Sequence, residues 1–274
     1  MTTVVLKRKI APRIANGHPW IFANEINTVE GDAAAGAIVD VLYHDKTFAG
    51  RGYYNPQSQI MVRLLTRKKE TIDERFFFQR IQRAWEYRKK IGYTENCRLI
   101  FGEADELPAL IIDKFNDYFV IQTMALGIDA WKPAIVQALQ QLFSPKGIYE
   151  RNDVPVRELE GLPQVKGFLS DPFDTKIIIN ENGLQFYVDL EHGQKTGYFL
   201  DQRDNRRAII VASVPLPVNR TFSAEGINCL ISSAHSISSS WQAPGCVPLA
   251  ICSCTAFTTS SAECPRMCEP WPTK

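Results

Sequence analysis

The sequence predicts an α+β chain, a small β-barrel followed by an α/β domain with a core of its own. Three observations carry that prediction. Residues 1–65 hold short apolar runs separated by Gly, Asn, Asp and Pro at roughly ten-residue intervals, the pattern of a compact barrel or sandwich. Residues 73–91 follow a helical period, and helical and strand patterns alternate from residue 99 to residue 179.

Taken in order, the barrel strands are expected at residues 38–43, 48–54 and 60–65. The basic cluster Arg63, Arg67, Lys68 and Lys69 comes next, then the helix over residues 73–91, with Thr71 or Asp73 available as its cap. Phe77, Ile81, Trp85 and Arg88 make one stripe of this helix, and Arg75, Gln79, Gln82, Arg83, Glu86 and Lys90 the other. That second face, with the cluster before it, could meet a phosphate backbone or simply face solvent. Residues 107–113 and 118–122 read as hairpin strands around Phe115-Asn116-Asp117. A helix over residues 130–143 buries Ile135, Leu139 and Leu142 and stops near Ser144-Pro145; a strand over residues 147–150 follows. A second hairpin, residues 176–179 with 184–190, turns at Glu181-Asn182-Gly183, an Asn-Gly step suited to positive φ.

Composition excludes several classes. At 45% hydrophobic and 22% charged residues the chain is an ordinary globular one, neither collagenous nor disordered. No apolar run reaches the ~18 residues of a membrane span, and residues 1–13 lack the apolar core of a signal peptide; a cytoplasmic protein without membrane association is expected. The formal charge of +1 is a cancellation: residues 1–100 hold 17 Lys/Arg against 10 Asp/Glu, and residues 101–274 hold 14 against 20.

The cysteines divide just as sharply. Cys97 is alone in the first 210 residues, whereas Cys229, Cys246, Cys252, Cys254, Cys264 and Cys268 fall in the last 64, which carry only six charged residues. The spacings Cys252/Cys254 and Cys264/Cys268 do not repeat as paired zinc knuckles do, so no metal site is expected. A disulfide framework would need an oxidising compartment. A shift of reading frame explains the loss of period and charge best, and residues 211–274 are expected to be an aberrant or disordered tail with no helix or strand.

Five ordered motifs carry a family resemblance: Gly17-His18-Pro19-Trp20-Ile21-Phe22; Ala49-Gly50-Arg51-Gly52-Tyr53-Tyr54-Asn55-Pro56; Gly102-Glu103-Ala104-Asp105-Glu106-Leu107-Pro108; Ile148-Tyr149-Glu150-Arg151-Asn152-Asp153-Val154-Pro155; and His192-Gly193-Gln194-Lys195-Thr196-Gly197-Tyr198-Phe199-Leu200-Asp201-Gln202-Arg203-Asp204-Asn205-Arg206. Over about residues 1–210 the chain resembles the bacterial S-adenosylmethionine-dependent large-subunit ribosomal RNA (cytosine-C5) methyltransferases that carry an N-terminal PUA domain. The resemblance implies a PUA-like RNA-binding domain (1–70), an α/β central domain (71–190) and the start of a methyltransferase domain (191–210), with the Rossmann-like remainder essentially missing. It implies ribosomal RNA as partner and S-adenosyl-L-methionine as the family's cofactor, with binding by this chain doubtful. Phe199, Asp201, Gln202, Arg203 and Asn205 would lie at the cofactor, and Lys7, Arg8, Lys9, Arg13, His18 and Arg51 at the RNA.

Methylation at cytosine C5 needs a nucleophile for C6, usually a cysteine thiolate. The family's Asp-Pro-Pro motif does not occur in this sequence, and Cys252-Ser253-Cys254 is too early to replace the catalytic cysteine, so no catalytic residue is expected in the chain and methyl transfer is not. A non-catalytic RNA-binding module is the alternative. Trp20 is expected in the core and His192 as a structural donor, while Arg151, Asp153 and Arg157 either position RNA or brace an interface.

Overall fold

A computed structural model describes residues 2–212 and 221–223. The first six strands, β1 (Thr3–Leu6), β2 (Trp20–Ile21), β3 (Ile26–Glu30), β4 (Ile38–Leu42), β5 (Phe48–Tyr54) and β6 (Val62–Thr66), make one sheet in the order β2-β6-β5-β4-β1-β3. A one-turn helix, α1 (Pro12–Ala15), links β1 to β2. Val39 and Val41 on β4 are fully buried and alternate with partly exposed neighbours, the period-two pattern of a strand with one face inward. Ile21 from one edge strand and Ile26 and Val29 from the other share one core with Val4, Leu6 and Val62, so the sheet curls on itself as a small barrel. At the β5/β6 register shift, Gly52 lies so close to the Arg63 carbonyl that no Cβ fits.

Helix α2 (Glu74–Lys90) starts at the Asp73 cap, whose carboxylate accepts the Phe76 amide at 2.9 Å; Thr71 is not the cap. Phe76, Phe77, Ile81 and Ala84 are buried, and the polar stripe from Arg75 to Lys90 faces solvent. Fully burying side chains such as Phe77 and Ile81 contributes roughly 1.5–3 kcal/mol each.

The second sheet has the order β11-β10-β9-β8-β7, from β7 (Asn96–Phe101), β8 (Leu110–Phe115), β9 (Tyr118–Thr123), β10 (Gly147–Asn152) and β11 (Val165–Phe168). The β8/β9 turn is two residues long, with Asn116 at φ +52°. Strands β9 and β10 are parallel, joined by α3 (Leu126–Ala130) and α4 (Lys132–Phe143), which ends at Ser144 in the left-handed region. Leu142 is only partly buried, while Ile135 and Leu139 are fully buried. Phe77 and Ile81 of α2 share a core with Ile135 and Leu139 of α4 and with Ile112, Phe119 and Ile121 of the sheet. Phe115 and Val120 reach a separate core built on the hairpin β12 (Lys176–Glu181) and β13 (Leu184–Asp189). Its turn is Asn182-Gly183, both at positive φ, as the Asn-Gly step predicts.

Two expectations are corrected here. The stretch from residue 211 was expected to hold no strand, yet β14 (Thr221–Ser223) pairs in parallel with β13, at Gln185↔Thr221 and Phe186↔Phe222. The Rossmann-like part was expected to be essentially missing. The chain instead contains two parallel β-α-β crossovers, β9-α3/α4-β10 and β13-α5-β14, with α5 spanning Arg203–Ala212. Such crossovers are the unit from which α/β sheets are wound. The elements of the first were legible in the sequence; the second was missed because the absence of periodicity in a long stretch hides a three-residue strand. The other calls on the tail, the frame shift, its disorder and Cys252-Ser253-Cys254 among them, lie outside the described residues.

Candidate RNA interface and cofactor segment

Lys7, Arg8 and Lys9 follow β1 on an exposed loop; the Lys7 ammonium donates to the Asn24 carbonyl at 2.8 Å, and none of the three is paired with a carboxylate among the described residues. Arg13 behaves differently. Its guanidinium donates to Glu25 Oε2 at 2.6 Å and to the Trp20 carbonyl at 2.5 Å, and stacks 4.8 Å from the Phe22 ring centre. The His18 ring accepts the Trp20 amide at 3.2 Å and meets the indole edge-on. Arg51 is engaged internally by both Asp40 oxygens, at 2.7 and 3.2 Å, and by the Glu70 carbonyl. The hydrogen bond to Asp40 raises the guanidinium pKa further, so Arg51 is a permanent cation with a fixed partner. Of the six residues expected at RNA, the structure brings Arg13 and His18 together beside Trp20, leaves Lys7, Arg8 and Lys9 on one loop without a carboxylate partner among the described residues, and commits Arg51 to the barrel.

Trp20 is half-buried rather than in the core. Its indole N–H donates to Glu103 Oε1 at 2.7 Å, tying the barrel rim to the loop after β7. Arg151 and Arg157 brace the fold. The first is buried against Asp153 and the Leu190 and Gly193 carbonyls, and the second against Asp129, Thr123 and the Pro163 carbonyl. His192 is exposed; its backbone amide donates to Asp189 Oδ1 at 2.9 Å, and its ring Nδ1 lies 3.6 Å from the other oxygen of the same carboxylate.

The cofactor segment runs from the loop after β13 into α5. Lys195, in the left-handed region at φ +56°, lies 4.3 Å from the Phe199 ring centre and 3.2 Å from Asp201. Desolvation pushes the Asp201 carboxyl up, but the Lys195 hydrogen bond and charge outweigh it and hold the group below the usual carboxylate range. Asn205 donates to Gln202 at 2.7 Å, and Arg203 stacks on Tyr93. Beneath them Arg206 is buried, bonded to both oxygens of Glu181 at 2.6 and 2.9 Å and to the Phe199 carbonyl, which fixes the start of α5. An aromatic ring, a carboxylate and an amide suit parts of S-adenosylmethionine. Of the five residues, however, only Arg203 lines a described cavity, a cleft of about 270 Å³ below the usual size of a cofactor site.

Cys97, on β7, is buried, and desolvation pushes its thiol up to about 11 despite Lys114 nearby. No group of three or more His, Cys, Asp or Glu side chains stands ready for a metal ion among the described residues.

The barrel can now be set beside known proteins. Residues 4–67 match the PUA-like domain family. The PUA-like domain thus spans β1 to β6, with Lys7, Arg8, Lys9, Arg13, His18 and Arg51 all inside it. The chain is similar to the ribosomal RNA large subunit methyltransferases I of Yersinia pseudotuberculosis and Yersinia pestis, at 39% identity over 196 residues, which is 70% of this chain and 50% of each relative. It spans about half the length of the curated relatives it matches. Its fold is similar to a solved chain from Streptococcus mutans assigned as a SAM-dependent methyltransferase (TM-score 0.64, 21% identity, 78% of this chain and 55% of that one). A second, assigned as a methyltransferase and complexed with SAH, gives a TM-score of 0.63 over 77% and 53%. Both likenesses run far past the PUA-like domain, so an α/β fold shared with these chains is present beside it, and the expectation that it is essentially missing does not stand.

Proposed function

We propose that this chain binds large-subunit ribosomal RNA through the PUA-like domain and serves the S-adenosylmethionine-dependent methylation of cytosine C5 as its RNA-binding part, without itself completing methyl transfer. The carrying observation is the 39% identity to ribosomal RNA methyltransferases over 196 residues, about three times the length of the PUA-like domain. Lys7, Arg8 and Lys9, without a carboxylate partner among the described residues, supply the sequence-independent attraction to phosphate, and Arg13, His18 and Trp20 form a fixed polar and aromatic corner beside them. A cytoplasmic setting goes with that partner; no helix among the described residues is long and apolar enough to cross a membrane.

The absence of methyl transfer rests on the missing Asp-Pro-Pro motif, and Cys97 does not replace the nucleophile that goes with it. A thiol with its pKa near 11, buried in the sheet, is not a nucleophile at neutral pH, and it is the only cysteine among the described residues. Phe199, Asp201, Gln202, Arg203 and Asn205 remain the residues proposed to meet the cofactor's edge. The test combines two assays on the full chain. Filter binding should show a salt-sensitive complex with large-subunit ribosomal RNA, and labelled S-adenosylmethionine should leave no label in unmodified RNA. Turnover above background would overturn the non-catalytic half; absence of a complex would overturn the RNA half.

A further inference from the structure

We propose that a shallow hollow of the PUA-like domain, beside the Lys7-Arg8-Lys9 loop, is a subsite for one unpaired base of single-stranded RNA, with the loop holding the adjoining phosphates. The hollow has a volume of about 500 Å³, within the range of small-molecule sites, and opens broadly to solvent. Its lining is mostly apolar and comes from the start of α1, from the turn after β2 and from Gln59 before β6. The cationic loop is fastened to its margin. The Lys7 amide donates to the Glu25 carbonyl at 2.9 Å and the Lys7 ammonium to the Asn24 carbonyl at 2.8 Å, and both acceptors belong to residues that line the hollow. From Lys9 the chain runs through Ile10 into Ala11, which lines it too. Lys7, Arg8 and Lys9 are all exposed, and an ammonium with three donors keeps two beyond the Asn24 carbonyl for a phosphate.

Inside the hollow the charges cancel. Glu25 is the one carboxylate in the lining, only 7% exposed, and it already accepts from Arg13 at 2.6 Å and from the Phe22 amide at 2.8 Å. Arg13 is thereby neutralised as well, with its guanidinium 4.8 Å from the Phe22 ring centre. Phosphate is drawn to the loop and an uncharged base to the hollow. The Phe22 ring and the Arg13 guanidinium plane, both partly exposed, are surfaces on which an unstacked base packs whatever its sequence. Asn24 and Gln59 are exposed in the same lining, and a carboxamide offers both donor and acceptor to a base edge. A duplex keeps its bases stacked and paired and can present only its backbone to the loop. Phe22, which closes the Gly17-His18-Pro19-Trp20-Ile21-Phe22 motif, thus has a role besides its edge-on contact with Trp20.

This inference rests on the RNA-binding reading above, and the experiment separates the two. A short fluorescent single-stranded RNA of mixed sequence, and the duplex it forms with its complement, are titrated across a salt series into the full chain and three variants. Ala23→Trp and Gln59→Trp fill the hollow from exposed positions on two of its sides, and Thr28→Trp, exposed on β3, lies outside it. Thermal melts verify that each variant folds. The expected result is single-strand binding about ten-fold weaker in Ala23→Trp and Gln59→Trp at every salt concentration, with the log-log slope of the parent, because the lost contact is a stacked base and no phosphate. Thr28→Trp should bind as the parent does, and the duplex should not distinguish the four proteins. Single-strand affinity unchanged in both filled variants overturns the hollow alone. So does a loss that comes with a shallower slope or extends equally to the duplex, since a blocked phosphate contact then accounts for it. Parent protein that binds no RNA overturns the underlying reading and the hollow with it.

Discussion

Arg63 and Glu160 meet through two hydrogen bonds, at 3.1 and 2.8 Å, with side chains only 7% and 4% exposed, and Asn55 and Ser58 donate to the same carboxylate. The cluster joins the PUA-like domain to the turn after β10. Removing one member leaves a buried guanidinium uncompensated, which typically costs about 3–5 kcal/mol. Glu160→Ala should lower the unfolding free energy read from urea denaturation by that amount; a loss under about 1 kcal/mol would show that water or another group takes the carboxylate's place. Cys97 makes a second prediction. With its thiol near 11, about one molecule in a thousand carries the thiolate at pH 8. Iodoacetamide at that pH should leave the Cys97 peptide unmodified until denaturant is added, and rapid labelling of folded protein would contradict its burial. The linkage has a definite sign. A thiol raised from 9.0 to about 11 on folding contributes stability that is complete below about pH 9 and is lost as pH rises through 11. Lys114, lowered by desolvation, acts in the opposite direction, so the difference between parent and Cys97→Ala isolates the cysteine.

Among the elements, α2 shows which signals a sequence carries on its surface. The buried face at Phe77 and Ile81 and the solvated stripe were readable, and the cap was narrowed to Thr71 or Asp73, because capping and a 3.6-residue period are local properties. The Asn182-Gly183 and Asn116-Asp117 turns were readable for the same reason. Asp73→Ala should therefore cost about 1 kcal/mol, measured as a shift in melting temperature with helix content retained; no shift would mean that the helix start is held by packing alone. Local signals fail where an element owes its existence to a distant partner. Strand β14 is three residues long and exists by pairing with β13, some 36 positions earlier at Gln185↔Thr221. The single-turn α3 and the strand β7 likewise depend on what packs against them.

For the molecule as a whole, the charge asymmetry read from the sequence becomes a surface with structure. The barrel places Lys7, Arg8 and Lys9 on one free loop, but it spends Arg13 on Glu25 and Arg51 on Asp40, a division that residue type could not reveal. The candidate cofactor segment was readable as a motif and not as a geometry: Arg206 and Glu181, which anchor it from beneath, are 25 residues apart and meet through the fold. Carboxylates Glu103 and Glu106 were visible only as parts of a motif, and their place facing the barrel emerges from the packing of three separate segments. The most direct measurement is equilibrium binding of the full chain to large-subunit ribosomal RNA across a salt series, beside a variant carrying Lys7→Ala, Arg8→Ala and Lys9→Ala. Counterion release predicts a log-log slope shallower by about 2 in the variant, from three lost phosphate contacts at ~0.7–0.9 each. Identical slopes, or no complex at low salt, would contradict RNA binding through the PUA-like domain.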